Sequence, residues 1–468
     1  MPTAPPGRFS RFLDRRVLAM LVLGFSSGLP LLLVLGTFTT RLAFSDIDVK
    51  SIGLFSYVAL PYTLKFLWAP FVDRLDIPVL AGWLGRRRAW IVTTQVAVAI
   101  ALSLMAFADP KTSLALLGCG AFLVAFCAAT QDVVIDGWRI DASGTEMDGG
   151  KAGGILAATS NLGYRFGLIT AGAGALILAD QAGWTVAYLS MAAFMSVGIV
   201  GTLLAPRADR VDPEQKEGGP RELWSFGRAV RAPIEELHGR FGVALLAILV
   251  LVALYRMPDF ISGVMASPLY RSIGYSLTQI AAVTKLYGIW VGIGGGFAGG
   301  WAIARFGLFR SLVAGAFLAA SSHLSMAWLS FYGPDVWAAT IPAGALAIWP
   351  AQPIDIALPW RLAIAISVEN FCGSFAGIAL IAYMSGLTTP AFAATQYALF
   401  SSLYALPGKL VAGVSGFIVA AWGYPAFFCF TAAVGIPVVA LCIAVGRRGS
   451  IGRPEPEPEE PLVVPRPA

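Results

Sequence analysis

Long apolar runs, each closed by a short polar stretch, repeat along almost the whole chain. They are Val17–Thr40, Ser51–Pro70, Ala89–Ala108, Leu114–Ile135, Gly153–Leu178 and Trp184–Ala205, then Phe241–Phe260, Leu277–Ala304, Ser311–Ser330, Leu362–Leu387, Ala391–Ala421 and Tyr424–Val445. Each is roughly long enough to cross a hydrocarbon core of about 30 Å as a helix. The polar stretch Pro206–Arg240 divides them six and six. The pattern predicts an all-α integral membrane protein with 12 transmembrane helices in two six-helix bundles, 17–205 and 241–446, joined by a linker at 206–240.

Three segments need separate treatment. Arg8, Arg11, Arg15 and Arg16 precede the first run, as in a signal peptide. That run is longer than an h-region and lacks a convincing small-residue cleavage site, so the reading is an uncleaved first span after an N-terminal tail, 1–16. Val336–Pro350 is apolar but short, and Pro342, Pro350, Pro353 and Pro359 punctuate its surroundings. Were it a span, every later loop would change sides. Residues 333–360 are therefore expected to form an outside elaboration, re-entrant or lying in the interface. The C-terminal tail, 447–468, alternates Pro and Glu towards its end and is expected to be disordered.

Composition agrees with a membrane protein. Of 468 residues 57% are hydrophobic and only 13% charged, against about 25% in globular chains. That excludes a disordered chain, a nucleic-acid module and an ordinary soluble enzyme. The net charge of +6 is explained by topology. Arg86, Arg87, Arg88, Arg139, Lys151, Arg207, Arg240, Arg305, Arg310, Arg447 and Arg448 fall on the side of the N-terminus, while Arg41, Lys50, Lys111 and Arg271 fall opposite. Positive charge gathers on the cytoplasmic side, so both termini are expected to be cytoplasmic, and no nucleic-acid partner is needed. Cys119, Cys127, Cys372, Cys429 and Cys442 lie scattered in apolar stretches and are expected to be buried thiols. His238 and His323 are too few for a zinc or haem site, and no cofactor is implied.

The halves resemble each other weakly. Gly183-Trp184 after the fifth run is echoed by Gly423-Tyr424 after the eleventh. The loop Asp73-Arg74 to Gly85-Arg86-Arg87-Arg88 is echoed by Arg305-Phe306-Gly307-Leu308-Phe309-Arg310. Two parallel six-helix repeats with a cytoplasmic linker describe the major facilitator fold, whose substrate sits between the halves near the midplane.

A charge at the centre of a bilayer costs about 2.5–3.5 kcal/mol on insertion scales, so each one asks for a role. The first half places Lys65, Asp132, Asp136 and Arg165 in its spans, the second Arg256, Asp259, Lys285, Glu369 and Lys409. Asp132 is either half of a fixed ion pair with Arg165 or Lys65, or a carboxylate neutralised as its partners move, which is how a symporter carries a proton. Glu369 is its nearest counterpart in the second half. Arg256 and Asp259 are three apart and can pair with each other. Lys285 and Lys409 are candidates to neutralise Glu369 or to hold substrate carboxylates. Asp73, Arg74, Arg86, Asp136 and Arg139 lie at the inside mouth and are candidate gate residues that pair in one conformation and part in another. The small-residue runs Gly24–Gly28 and Gly292–Gly300 read as close helix packing. No catalytic constellation stands out, so the chain is not read as an enzyme; an intramembrane acyltransferase is the formal alternative.

The strings themselves resemble AmpG-type muropeptide permeases. These are Phe25-Ser26-Ser27-Gly28-Leu29-Pro30, Leu60-Pro61-Tyr62-Thr63-Leu64-Lys65-Phe66-Leu67-Trp68-Ala69-Pro70, Thr130-Gln131-Asp132-Val133-Val134-Ile135-Asp136, Leu162-Gly163-Tyr164-Arg165 and Val368-Glu369-Asn370-Phe371-Cys372-Gly373. The resemblance implies proton-driven import of 1,6-anhydromuropeptides from periplasm to cytoplasm across the bacterial inner membrane. It thereby implies a role in cell-wall recycling and, in some bacteria, in β-lactamase induction. It implies Asp132 as the proton-linked carboxylate, with Lys65, Tyr164, Arg165, Glu369 and Asn370 as cavity polar groups; Gln131 and Arg256 are further candidates for substrate binding, and Glu369 for proton coupling. The partners it implies are an anionic sugar-peptide, protons and the bilayer, with the chain acting as a monomer. Two features depart from the pattern: the elaboration at 333–360 and the Pro in Arg256-Met257-Pro258-Asp259. The same branch is similar to importers of siderophores and acyl-CoA, which keeps another anionic cargo open. A non-transporting assembly factor on the same fold is the alternative of a different class.

Overall fold

The computed structural model describes residues 14–142, 151–207, 226–334, 337–341, 354–389 and 393–447. The outer parts of both tails and linker residues 208–225 lie outside the described residues. Nine helical runs among them are long and apolar enough to cross a bilayer. One of these, Ile155–Leu204, is 50 residues long and reverses at Gly183, whose φ of 85° and ψ of 166° no helix can hold. It therefore makes two spans. The C-terminal run reverses in the same way at Gly423, φ 77° and ψ 170°, so its first residues complete the span begun at Ala393–Ala412. The second span is a string of short pieces: Val49–Phe55, Ser56–Ala59, Leu60–Leu64, Lys65–Leu67 and Ala69–Arg74. Pro61 and Pro70 stand in it, and neither can give the amide hydrogen a continuous helix needs.

In chain order the spans are 1 (Arg15–Phe44), 2 (49–74), 3 (Arg86–Phe107), 4 (Leu114–Ala142), 5 (151–182) and 6 (184–204). The second half has spans 7 (Ala244–Ile273), 8 (Leu277–Phe306), 9 (Leu308–Ser330), 10 (Trp360–Leu387), 11 (393–422) and 12 (424–447). The internal repeat is written in the backbone. Gly85 and Gly307, which open spans 3 and 9, have φ of 85° and 86°. They match as closely as Gly183 and Gly423 do. The left-handed region they share is open to glycine and costly for other residues.

Two elements add to the sequence expectation. Within the elaboration expected between spans 9 and 10, β1 (Trp337–Ile341) pairs antiparallel with β2 (Ile354–Leu358), Trp337 opposite Leu358 and Ile341 opposite Ile354, while residues 342–353 lie outside the described residues. The protein is thus helical apart from this ribbon among the described residues. Within the linker, Phe226–Phe241 forms a helix. Its Leu237 enters the core of the second half, and its Arg240 donates to the Leu387 carbonyl. Glu236 accepts from Gln396 of span 11 at 2.6 Å. The bundle thus has a linker end, beside this helix, and a hairpin end, beside the β1–β2 ribbon.

The apolar cores explain the shape. One continuous cluster joins spans 1 to 6 to spans 7 to 12 at the hairpin end, with Phe38, Ile52, Met265 and Phe427 fully buried in it. At the linker end the halves have separate cores, one around Trp138 and one around Tyr255 and Phe400. The halves are therefore fused at the hairpin end and parted at the linker end. Inside the first half, spans 1 and 5 approach until glycine is required. A Cβ on Gly28 would overlap the Tyr164 carbonyl, and one on Gly163 the Leu21 carbonyl. All five cysteines are free, but only Cys372 and Cys442 are buried; Cys119 and Cys429 face outward, which corrects the expectation of uniform burial.

Gly28→Val forces this contact apart, because a backbone carbonyl cannot turn away. Overpacking costs about 1–3 kcal/mol, which lowers the midpoint of thermal unfolding in detergent by about 1–3 °C. Gly294→Val, where a Cβ meets nothing within 4 Å, is expected to leave it unchanged. Equal midpoints for the two variants would show that the close approach does not hold the bundle.

Candidate functional site

The buried charges fall into three groups. The first lies in the N-terminal half. Asp132 of span 4 accepts a hydrogen bond from Ser27 Oγ at 2.5 Å, and its other oxygen stands 4.0 Å from Lys65 Nζ. Of the two partners the sequence allows, the structure uses Lys65. Arg165 instead donates from Nε to Asn161 Oδ1, one turn back on span 5, at 3.1 Å. Tyr62 and Tyr164 lie within electrostatic reach of Asp132. Lys65 sits in a 3-10 turn, where the helical ladder is already broken.

Gln131 does not join this group. It is fully buried and donates to Ser26 Oγ at 3.0 Å; Gln95 donates to the same oxygen, and Thr202 donates to Gln95. These four side chains tie spans 1, 3, 4 and 6 together, so Gln131 belongs to the packing of the half-bundle rather than to the cavity.

The second group surrounds a cavity of about 1410 Å³. Spans 7, 8 and 10 supply most of its wall, with Arg256, Asp259, Lys285, Glu369 and Asn370; Gly36 and Arg165 come from the first half. Asp132 and Lys65 are not among its lining residues. Arg256 and Asp259 pair, Nε to Oδ2 at 3.5 Å, and Arg256 also donates to the Gly373 carbonyl at 2.6 Å. Glu369 lies within electrostatic reach of Asp259, Lys285 and Arg256. Lys285 occupies a π-helical turn, 281–287, facing the π-helical turn 170–174 of span 5. Its stem rests on Gly172 and its ammonium group on Gly36, where a Cβ would stand 3.4 Å from Nζ. The lysine therefore crosses from one half to the other at the roof of the cavity.

The third group is a seam. Lys409 of span 11 does not approach Glu369; it donates to Thr63 Oγ1 of span 2 at 2.7 Å. Nearby, Tyr57 of span 2 donates to the Leu410 carbonyl at 2.7 Å.

Among the described residues, the candidate gate side chains make no contact between halves in this state, in which the halves are parted at the linker end. Asp136 pairs with Arg139 on its own helix at 3.0 Å, and Arg87, not Arg86, reaches Asp141 at 3.2 Å. Arg86 opens span 3, and the side chains of Asp73 and Arg74 lie outside the described residues. Polar contacts that cross between halves are found at the hairpin end. Arg271 pairs with Asp46 at 3.3 Å, and Thr278 donates to Asp180 through both Oγ1 and backbone N. Lys111 also reaches Asp46, at 3.7 Å. Sequence reading counted Arg271 and Lys111 only as loop charge. The available signal was the acidic Asp46 among few cations on that side. Arg41 was counted in a loop as well. It is 3% exposed, donates to the Met105 and Ala108 carbonyls and lies over the Tyr188 ring, so it caps span 3.

This architecture has known relatives. The sequence profile of the Major Facilitator Superfamily matches residues 16–359. The chain is 34% identical to the anhydromuropeptide permease of Escherichia coli (strain K12) over 434 residues, 92% of this chain and 80% of that one. The chain belongs to the AmpG-type permease branch of the Major Facilitator Superfamily. A putative transporter of the same branch, AmpG 4 of Rickettsia felis, is 30% identical over 443 residues, 94% of this chain and 99% of that one. Solved structures share the fold at low identity. The POT family transporter PepTSo superposes with a TM-score of 0.63 at 14% identity, covering 96% of this chain and 99% of that one. A D-xylose-proton symporter does so with a TM-score of 0.61 at 12% identity, covering 93% and 97%. This AmpG-type chain is a multi-pass membrane transporter and not an enzyme.

Two expectations follow. Gln131→Ala leaves buried partners unsatisfied and lowers stability by about 1–3 kcal/mol, while cargo affinity measured on the folded protein stays unchanged; a loss of affinity at unchanged stability would return Gln131 to the cavity. Asp46→Asn weakens two exposed ion pairs, of which only the one with Arg271 crosses between the halves and bears on closure, worth about 0.2–1 kcal/mol. It is expected to shift the population towards opening at the hairpin end by no more than about fivefold, read as spin-label distances between spans 1 and 7. A complete switch of state would show that Asp46 dominates closure.

Proposed function

We propose that the protein imports anhydromuropeptides, GlcNAc-anhydroMurNAc-peptides, from periplasm to cytoplasm in symport with protons. In this reading it acts as a monomer in the bacterial inner membrane, with the linker end and both termini cytoplasmic. The observation that carries the cargo assignment is the match along 92% of the chain to a protein named as an anhydromuropeptide permease. The cavity supports it. At about 1410 Å³ it exceeds the 300–1,000 Å³ usual for drug-sized ligands, as a sugar-peptide requires. Its wall carries three cations, Arg165, Arg256 and Lys285, against two carboxylates, Asp259 and Glu369. The balance of one positive charge favours an anion. It rises to two when Glu369 takes a proton, which ties cargo charge to proton uptake.

The sidedness follows from loop charge. Basic residues crowd the linker end, and positive loops stay cytoplasmic. A structure closed at the hairpin end and open at the linker end is then the state that releases cargo inward. In this state Asp132 faces Lys65. In this reading the carboxylate is charged when it faces the lysine and has given up its proton. When the halves rock, cargo and proton enter from the opposite side. One proton moving through about 150–180 mV supplies about 4 kcal/mol, enough for roughly thousandfold accumulation.

The test is uptake of labelled GlcNAc-anhydroMurNAc-peptide into proteoliposomes. An inward proton gradient is expected to drive accumulation. Asp132→Asn is expected to abolish gradient-driven accumulation while leaving exchange of labelled for unlabelled cargo intact. Accumulation that survives in Asp132→Asn would remove the proton from Asp132. No uptake by folded, wild-type protein would remove the cargo.

A further inference from the structure

Spans 8 and 10 carry glycines of two kinds. Gly295 and Gly299 are needed for packing: a Cβ on Gly295 would overlap the Phe371 carbonyl, and one on Gly299 would stand 3.0 Å from the Phe375 carbonyl. Gly296, Gly300 and Gly377 line the cavity instead. A Cβ on Gly300 meets nothing within 4 Å, one on Gly296 only Ile378 at 3.7 Å, and one on Gly377 only Arg256 Nη1 at 3.9 Å. None of the three has a left-handed backbone. Packing and conformation thus both permit a side chain at these positions, and glycine is among the poorest residues for a helix interior. What glycine supplies there is room.

The room is continuous. Gly292 lines the same wall, and from Gly292 to Gly300 the helix rises about 12 Å. Towards the hairpin end this trough meets Tyr270, a cavity-lining residue only 4% exposed and within electrostatic reach of Glu369. Its hydroxyl, a donor and an acceptor, makes no hydrogen bond to another described side chain and so is open to a molecule in the cavity. Towards the linker end the trough is bordered by Phe297 and Trp301. It has a polar end and a bare floor.

We propose that Gly296, Gly300 and Gly377 set the size of cargo the transporter accepts. Their missing side chains give the trough its width, so that it takes the added bulk of a peptide-bearing sugar. The proposal rests on the muropeptide reading above and adds the residues that decide between large and small members of that class.

The experiment compares uptake of the GlcNAc-anhydroMurNAc disaccharide with and without its peptide, in proteoliposomes of four proteins: wild type, Gly296→Leu, Gly300→Leu and Gly294→Leu. Gly294 is on the same helix with equal free space and does not line the cavity. Filling the trough is expected to cut uptake of the peptide-bearing cargo at least about tenfold and of the bare disaccharide less than about threefold. Gly294→Leu is expected to leave both unchanged. An equal fall for both cargoes in folded protein, or no fall for either, overturns the size filter. If wild-type protein imports neither cargo, the muropeptide reading fails by itself, and a second measurement decides the trough. Gly296→Cys and Gly300→Cys are then expected to react with a bulky water-soluble maleimide added at the linker end, above the labelling of the unsubstituted chain, whereas Gly294→Cys is not. Failure of Gly296→Cys and Gly300→Cys to react overturns the proposal whatever the cargo.

Discussion

Spans 1 and 7 pack against each other at the hairpin end, as do spans 2 and 11, and the cavity exists because they do. The two halves could each stand as a six-helix bundle, with its own apolar core at the linker end. Where they meet they share one core, and at Gly53, Gly413 and Gly416 the backbones of spans 2 and 11 come close enough to exclude a side chain. The ion pairs of Asp46 lie at the exposed rim of this contact, where water and salt weaken them. Closure is therefore apolar and close-packed, with charge as trim. A closure of that kind has two arrangements rather than a range of them, since packed surfaces either interlock or part.

The charges obey a different constraint. Hydrocarbon cannot hydrate them, so each must be paired or face water in the cavity. Both intramembrane lysines of spans 2 and 8, which are repeat mates, stand where the α-helix gives way: Lys65 in a 3-10 turn and Lys285 in a π-helical one. Such turns are common at functional sites, because they change the direction of a side chain without ending the helix. The two positions are not equivalent in the repeat, since Lys65 lies 16 residues after Val49 and Lys285 eight after Leu277; what the halves share is a lysine at a loosened turn. Asp132 with Lys65 and Glu369 with Lys285 are corresponding solutions in the two halves, the first a direct pair and the second a looser cluster around a cavity.

The order of spans was legible in the sequence because lipid imposes a continuous apolar run of fixed length, and that signal needs no partner to be read. The repeat was legible in its turns, since Gly183 and Gly423, like Gly85 and Gly307, are required by backbone geometry. The site was legible residue by residue but not in its connections. Gln131 looked like a neighbour of Asp132, yet adjacent residues on a helix point about 100° apart, and it faces the packed interior while Asp132 faces Lys65. Asp136 and Arg139 read as gate residues, and in this state, parted at the linker end, they pair with each other on one helix, a local contact that the spacing allows. Arg41 was hidden because span 1 runs on to Phe44, which carries the arginine into the bundle. The ribbon of β1 and β2 was missed because its two strands are separated by 12 residues, too far for a tight-turn signature.

Lys285 is where closure and cavity meet. Its stem fits over Gly172 and its ammonium group over Gly36, both in the first half, while Glu369 of its own half stays within electrostatic reach. That seat exists only while the halves are fused at the hairpin end. Parting them removes the wall that Gly36 and Gly172 provide and leaves the lysine to the groups of its own half, of which Glu369 is the acidic one. The charge balance of the cavity is then not fixed by its lining residues alone but by which state the apolar contact is in. The converse holds by linkage: whatever neutralises Glu369 changes what Lys285 gains by leaving its seat, and so bears on closure. Apolar packing and buried charge, which obey opposite demands of the same solvent, are joined through one side chain.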